Sequence, residues 1–98
     1  MDAQITEKIV NYFQDKPVKK VYLFGSYARN EETPESDVDI LVDVDYGKEP
    51  LFSLFEFGGM LEDLKDLLRK DVDLVSTDGI SKFIRPYIEK DRILIYGK

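Results

Sequence analysis

The chain has no cysteine and no histidine among its 98 residues. Without cysteine there is neither disulfide nor thiolate chemistry, which fits a cytoplasmic protein. Without histidine there is no Ser-His-Asp or Cys-His catalysis, no histidine-ligated zinc and no histidine-dependent nuclease. Chemistry here must rest on carboxylates, lysine, arginine, tyrosine or hydroxyls. No apolar run approaches the ~20 residues that a membrane span needs. The opening Met1-Asp2-Ala3-Gln4 does not read as a signal peptide. Positive charge is scarce: 14 Lys and Arg stand against 20 Asp and Glu, a formal net charge of −6. Such a surface repels a nucleic-acid backbone, so a nucleic-acid partner is disfavoured unless a basic patch overrides the average. Lys16, Lys19 and Lys20 form the one small cluster of that kind that the sequence suggests.

What is present suits one small globular domain over residues 1–98, with 43% hydrophobic content. Ile5, Ile9, Val10 and Phe13 fall near one face of a helix over residues 3–14, which Pro17 ends. Lys20 to Phe24 is a β-branched and aromatic run stopped by Gly25, hence a strand. Residues 26–30 begin a short helix, and the stretch from Glu31 to Glu35 is a polar loop. Val38, Ile40, Val42 and Val44 then alternate with Asp37, Asp39, Leu41, Asp43 and Asp45, a period-2 strand with one apolar and one acidic face. Leu54, Phe57, Leu61, Leu64 and Leu68 predict a helix over residues 51–69. Its Leu51, Phe52, Leu54, Phe55, Phe57 and Met60 form a broad apolar set, read first as core and second as interface. Val72 to Ser76 is a strand, residues 80–90 a helix containing Pro86, and Ile93 to Tyr96 a last strand. Alternating helices and strands predict an α/β (α+β) chain, a small mixed β-sheet with helices packed on it.

Two features carry chemistry. Asp37 and Asp39 are two residues apart in a strand, so their side chains project to the same face. Crowded carboxylates repel unless a cation lies between them, and hard cations such as Mg²⁺ take oxygen ligands shared with substrate phosphates. Aspartate is also a poor strand former. An acidic solvent face is the plain alternative, and Asp43 and Asp45 continue it; on these residues alone the two readings weigh equally. The second feature is the turn Gly25-Ser26 after an apolar run. It matches neither a Walker A loop nor a dinucleotide fingerprint, but backbone N–H groups at a helix start can meet phosphate oxygens. Arg29 lies within reach of such a phosphate, though position alone favours an ordinary solvated arginine. Asp73, in Asp71-Val72-Asp73, supplies a third carboxylate if its strand neighbours that of Asp39.

Together these residues make a pattern: Gly-Ser, ten residues, Asp-x-Asp, then an apolar strand. It resembles the signature of the DNA polymerase β-type nucleotidyltransferase superfamily. It is closest to the minimal nucleotidyltransferases that serve as antitoxins beside HEPN-domain toxins. The resemblance covers nearly the whole chain, through VYLFGSYARNEETPESDVDILVD, DVDLVS and FIRPYIEKDRILIYGK. It implies a nucleotidyltransferase fold in which Gly25, Ser26 and Arg29 bind nucleotide, and Asp37, Asp39 and Asp73 hold Mg²⁺. Asp73 would also act as, or near, the general base. Where the family has glycine this chain has Asn30, the non-glycine residue that best tolerates positive φ.

The expected activity is Mg²⁺-dependent transfer of AMP from ATP to a hydroxyl. No second domain is present to recognise an antibiotic or tRNA, so the expected acceptor is a partner protein. The resemblance implies a tyrosine of a HEPN toxin, with this chain as antitoxin. The alternative is a non-catalytic antitoxin of the same fold that masks its partner sterically.

Overall fold

A computed structural model describes residues 2–47 and 54–97. Helix α1 (Ala3–Phe13) is followed by strand β1 (Val18–Phe24), a short helix α2 (Gly25–Ala28) and strand β2 (Val38–Val44). Helix α3 (Leu54–Leu68), strand β3 (Val72–Ser76), helix α4 (Arg85–Asp91) and strand β4 (Ile93–Gly97) complete the order. The four strands form one sheet in the order β3-β2-β1-β4. β1 is antiparallel to β2 and β4, whereas β2 and β3 are parallel. A parallel pair needs a long crossover, and α3 provides it.

The α1 start is written in the sequence. Asp2 Oδ1 accepts from the N–H groups of Gln4 (2.9 Å) and Ile5 (3.2 Å), a cap of the kind that contributes about 1 kcal/mol. Behind it Ile5, Ile9 and Phe13 are buried. They meet the apolar face of the sheet, built by Val21 and Leu23 of β1, Val38, Ile40, Val42 and Val44 of β2, and Val72 and Leu74 of β3. Met60, Leu64 and Leu68 of α3 close the same core. Tyr12 Oη donates to Asp63 Oδ2 (2.8 Å) and ties α1 to α3.

The opposite face of the sheet departs from the expected acidic face. Leu41 is fully buried there, although it alternates with Asp39 and Asp43. Leu41 and Ile88 of α4 are the buried apolar residues that stand outside the main cluster, and α4 packs on β1 and α2. One short helix therefore covers part of the polar face and leaves the rest open.

Other expectations shift by a few residues. β1 begins at Val18, directly after Pro17, and the last helix starts at Arg85 rather than at residue 80. Pro86 explains the latter, because proline fits a helix's first turn, where its missing N–H is not needed. A 3₁₀ turn, Thr77–Gly79, stands where no element was expected. In α3 Phe57 and Leu61 are partly buried, but Phe55 is 90% exposed and is not core. Leu51, Phe52 and the side chain of Leu54 lie outside the described residues.

Phe13→Ala should lower stability by about 3–5 kcal/mol, since it empties a wholly buried aromatic site. Phe55→Ser should stay within about 0.5 kcal/mol of the parent. Urea denaturation followed by far-UV circular dichroism checks both; equal losses would contradict this packing.

Candidate active site

Three carboxylates meet on the open face because of strand register. In the parallel β2–β3 pair, Asp39 lies directly beside Asp73. Asp37 stands two residues before Asp39, just outside the strand. The expected neighbouring of the two acidic strand starts is thus realised. Asp39 is half-buried while Asp37 and Asp73 are exposed. The Asp39 carboxyl is pushed up from 3.8 to about 6, first by its burial, then by the charges of Asp73 and Asp37. Arg29 pulls it the other way.

The Gly25-Ser26 turn roofs this carboxylate. Phe24, the last residue of β1, pairs with Asp39, and Gly25 turns sharply with φ +69°. A β-carbon at Gly25 would overlap Asp39 Oδ2. Two demands therefore call for glycine here: a left-handed backbone and close approach to a side chain. Beyond Ala28 the chain turns again through Asn30, whose φ of +58° is the conformation its side chain was expected to tolerate. Glu31 N–H donates to Ser26 carbonyl oxygen (2.9 Å), which closes the loop over the turn.

Arg29 is near the site but already engaged. Its Nη1 donates to Asp91 Oδ2 at 2.7 Å and its Nε to Glu31 Oε2 at 3.2 Å. It thereby anchors α4 to α2. Asp91 was missed in the sequence because nothing in its spacing links it to Arg29. Thr77 was missed for the same reason; its Oγ1 donates to Asp43 Oδ1 at 3.3 Å. Of the basic cluster, Lys16 is already engaged. Lys16 Nζ is 3.3 Å from Asp15 Oδ1 and lies over the Tyr12 ring, while Lys19 and Lys20 are both exposed at the irregularity in β1 between buried Val18 and Val21.

A hard divalent cation suits this donor set, since all three groups are carboxylates and their mutual repulsion is what a cation relieves. Among the described residues no three acidic side chains already form a metal cage. Mg²⁺ takes one or two carboxylates and completes its shell with water and substrate phosphates.

Against this geometry, the model of the family described as polymerase beta, nucleotidyltransferase matches residues 7–98. The chain belongs to that family. A protein of Methanocaldococcus jannaschii named as a protein adenylyltransferase is 39% identical over 94 residues, covering 94% of this chain and 92% of its own. The protein adenylyltransferase MntA of Thermococcus cleftensis is 36% identical over 78 residues, covering 80% of this chain and 75% of its own. Two solved structures share the nucleotidyltransferase fold. A toxin–antitoxin complex with AMP-PNP has a TM-score of 0.80 at 24% identity, covering 95% of this chain and 73% of the other. A tri-AMPylated Shewanella oneidensis HEPN toxin with its MNT antitoxin has a TM-score of 0.76 at 23% identity, covering 100% and 74%.

Two substitutions test this arrangement of Gly25 over Asp39. Gly25→Ala should destabilise by more than about 1 kcal/mol, because the left-handed backbone alone costs about that much and the β-carbon also displaces Asp39; calorimetry measures it. Asp39→Asn should stabilise the metal-free protein. A carboxyl with a folded value near 6, above its ordinary 3.8, loses stability as pH rises between those values. Solvent around a half-exposed group leaves roughly 1 kcal/mol of the shift. The variant should melt higher than the parent at pH 7.5 and equally at pH 3.5.

Proposed function

We propose that this nucleotidyltransferase moves AMP from ATP to a hydroxyl of a partner protein, and that the partner is a HEPN-domain toxin which the modification silences. The carrying observation is the convergence of Asp39, its strand neighbour Asp73 and Asp37 under the Gly25 turn. The names of its relatives support the same reading. So does the fold shared with antitoxins of HEPN toxins, one of whose partners carries three AMP groups. An acidic protein of net charge −6 also suits a basic partner electrostatically.

In this reading Asp37, Asp39 and Asp73 would hold Mg²⁺, which would supply charge neutralisation and Lewis acidity toward phosphate oxygens. Gly25 brings its bare backbone against the site, and the Ser26 hydroxyl donates to a phosphate oxygen. Arg29 offers whatever donors Asp91 and Glu31 leave free. Asp73, exposed at the β3 start, accepts the proton of the incoming hydroxyl. Its strand flanks β2 on the side away from β1 and the Gly-Ser turn, so the acceptor would enter and pyrophosphate leave on different sides. A tyrosine hydroxyl is the proposed acceptor. ATP as donor makes the cytoplasm the natural compartment.

Incubation of the full chain with ATP, Mg²⁺ and its HEPN partner should add one or more AMP masses to a partner tyrosine. Asp37→Asn should abolish the added mass. Asp73→Asn should keep much of the nucleotide binding and lose transfer by about 10²–10⁴-fold. Tight, neutralising binding with no added mass would instead establish steric masking.

A further inference from the structure

The flank of the site away from the Gly-Ser turn holds a second polar feature. The C-terminal turn of α3 and the entrance of β3 enclose a pocket of about 490 Å³ with the segment that leads into β2. Lys65, Arg69 and Lys70 line it, and so do Ser36, Asp37 and Asp71. Its two walls are stitched together. Val38 N–H donates to Asp71 carbonyl oxygen (3.0 Å) and Lys70 Nζ to Pro34 carbonyl oxygen (3.1 Å).

Cations at a helix C-terminus are ordinary, because they answer the dipole and the last carbonyls. Two observations go beyond that. Lys65 and Arg69 form no ion pair among the described residues, although the pocket also carries Glu35, Asp37 and Asp71. In addition, Arg69 occupies the left-handed position that ends α3, with φ +54°. Its N–H donates to the Lys65 carbonyl at 2.8 Å. Glycine is the usual residue at such a position and avoids the strain. The chain instead keeps a guanidinium there, beside the site.

Sheet order fixes what the pocket can serve. Asp39 is on β2; the Gly-Ser turn follows β1 on one side, and the pocket precedes β3 on the other. The turn therefore lies on the β1 side of Asp39 and the pocket on the β3 side, where it adjoins Asp37 and the strand of Asp73. The pocket is therefore on the acceptor side. We propose that Lys65, Arg69 and Lys70 form an anion subsite for the phosphodiester of an AMP already attached to the acceptor, so that this AMP can receive the next one. The inference rests on the AMP-transfer reading above. In the repeated step, a ribose hydroxyl oxygen of the attached AMP bonds to the α-phosphorus of a new ATP. The bond from that phosphorus to the bridging oxygen breaks, pyrophosphate leaves with the electron pair, and the hydroxyl proton passes to Asp73. Arginine matches a phosphate through two parallel donors, and lysine adds a point charge.

The test is a time course of intact mass on the HEPN partner with ATP, Mg²⁺ and the full chain. The wild type should yield species with one, two and three added AMP. The variant with Lys65, Arg69 and Lys70 all replaced by alanine should make the first addition within about threefold of the parent rate. It should make the second about tenfold slower or worse. Arg69→Gly should show the same stall while melting no lower than the parent, because glycine suits the left-handed position; misfolding is then excluded. Arg69→Lys should restore part of the extension. Equal extension by parent and variants overturns the subsite and leaves AMP transfer standing, as does a parent that stops at one AMP. Parallel loss of first and later additions overturns it too, by assigning the pocket to ATP or partner binding. A parent that adds no mass removes the AMP-transfer reading and the subsite with it.

Discussion

The repulsion between Asp39 and its neighbours is the constraint around which the rest is arranged. A half-buried carboxylate beside two others is an unfavourable element of any sheet. It persists because the other face of the same strands is fully apolar: Val38, Ile40 and Val42 are buried without remainder under α1 and α3. One face supplies cohesion, and the other is free to hold charges that oppose folding. Alternation in β2 is what separates the two tasks by a single residue step. This division is also why the site can be acidic without dismantling the fold.

Much of this arrangement was legible in the residues. The Gly-Ser turn and the Asp-x-Asp spacing are local, and period-2 alternation turns local spacing directly into a shared face. The core face of β2 and the Ile5/Ile9/Phe13 stripe of α1 follow from the same logic. What could not be read was long-range. Nothing in the order of residues states that β3 pairs parallel with β2, which is what brings Asp73 to Asp39. Nothing links Arg29 to Asp91 or Lys70 to Pro34. Leu41 misled for a related reason: its neighbours suggest a solvent face, yet it is buried in a strand that also meets α2 and the 3₁₀ turn Thr77–Gly79.

Positive φ marks two of the places where backbone geometry serves the site. Asn30 ends the loop that carries Gly25 and Ser26, and Arg69 ends α3. Asparagine accommodates the conformation through its short polar side chain, whereas arginine accepts the strain outright. Exposed Phe83, Tyr87 and Leu94 lie on or beside α4 and β4, the strand at the edge opposite β3.

The parallel pairing of β2 with β3 has a kinetic consequence. Hairpin-like pairing of β1 with β2 needs a short closure, but β3 joins only after α3 has folded back across the sheet. Contacts between distant parts of a chain form late, because loop-closure entropy must be overcome first. By that argument Asp39 and Asp73 become neighbours after β1 has met β2. A nascent or partly folded chain carries the Gly-Ser turn and the first two aspartates but not the third.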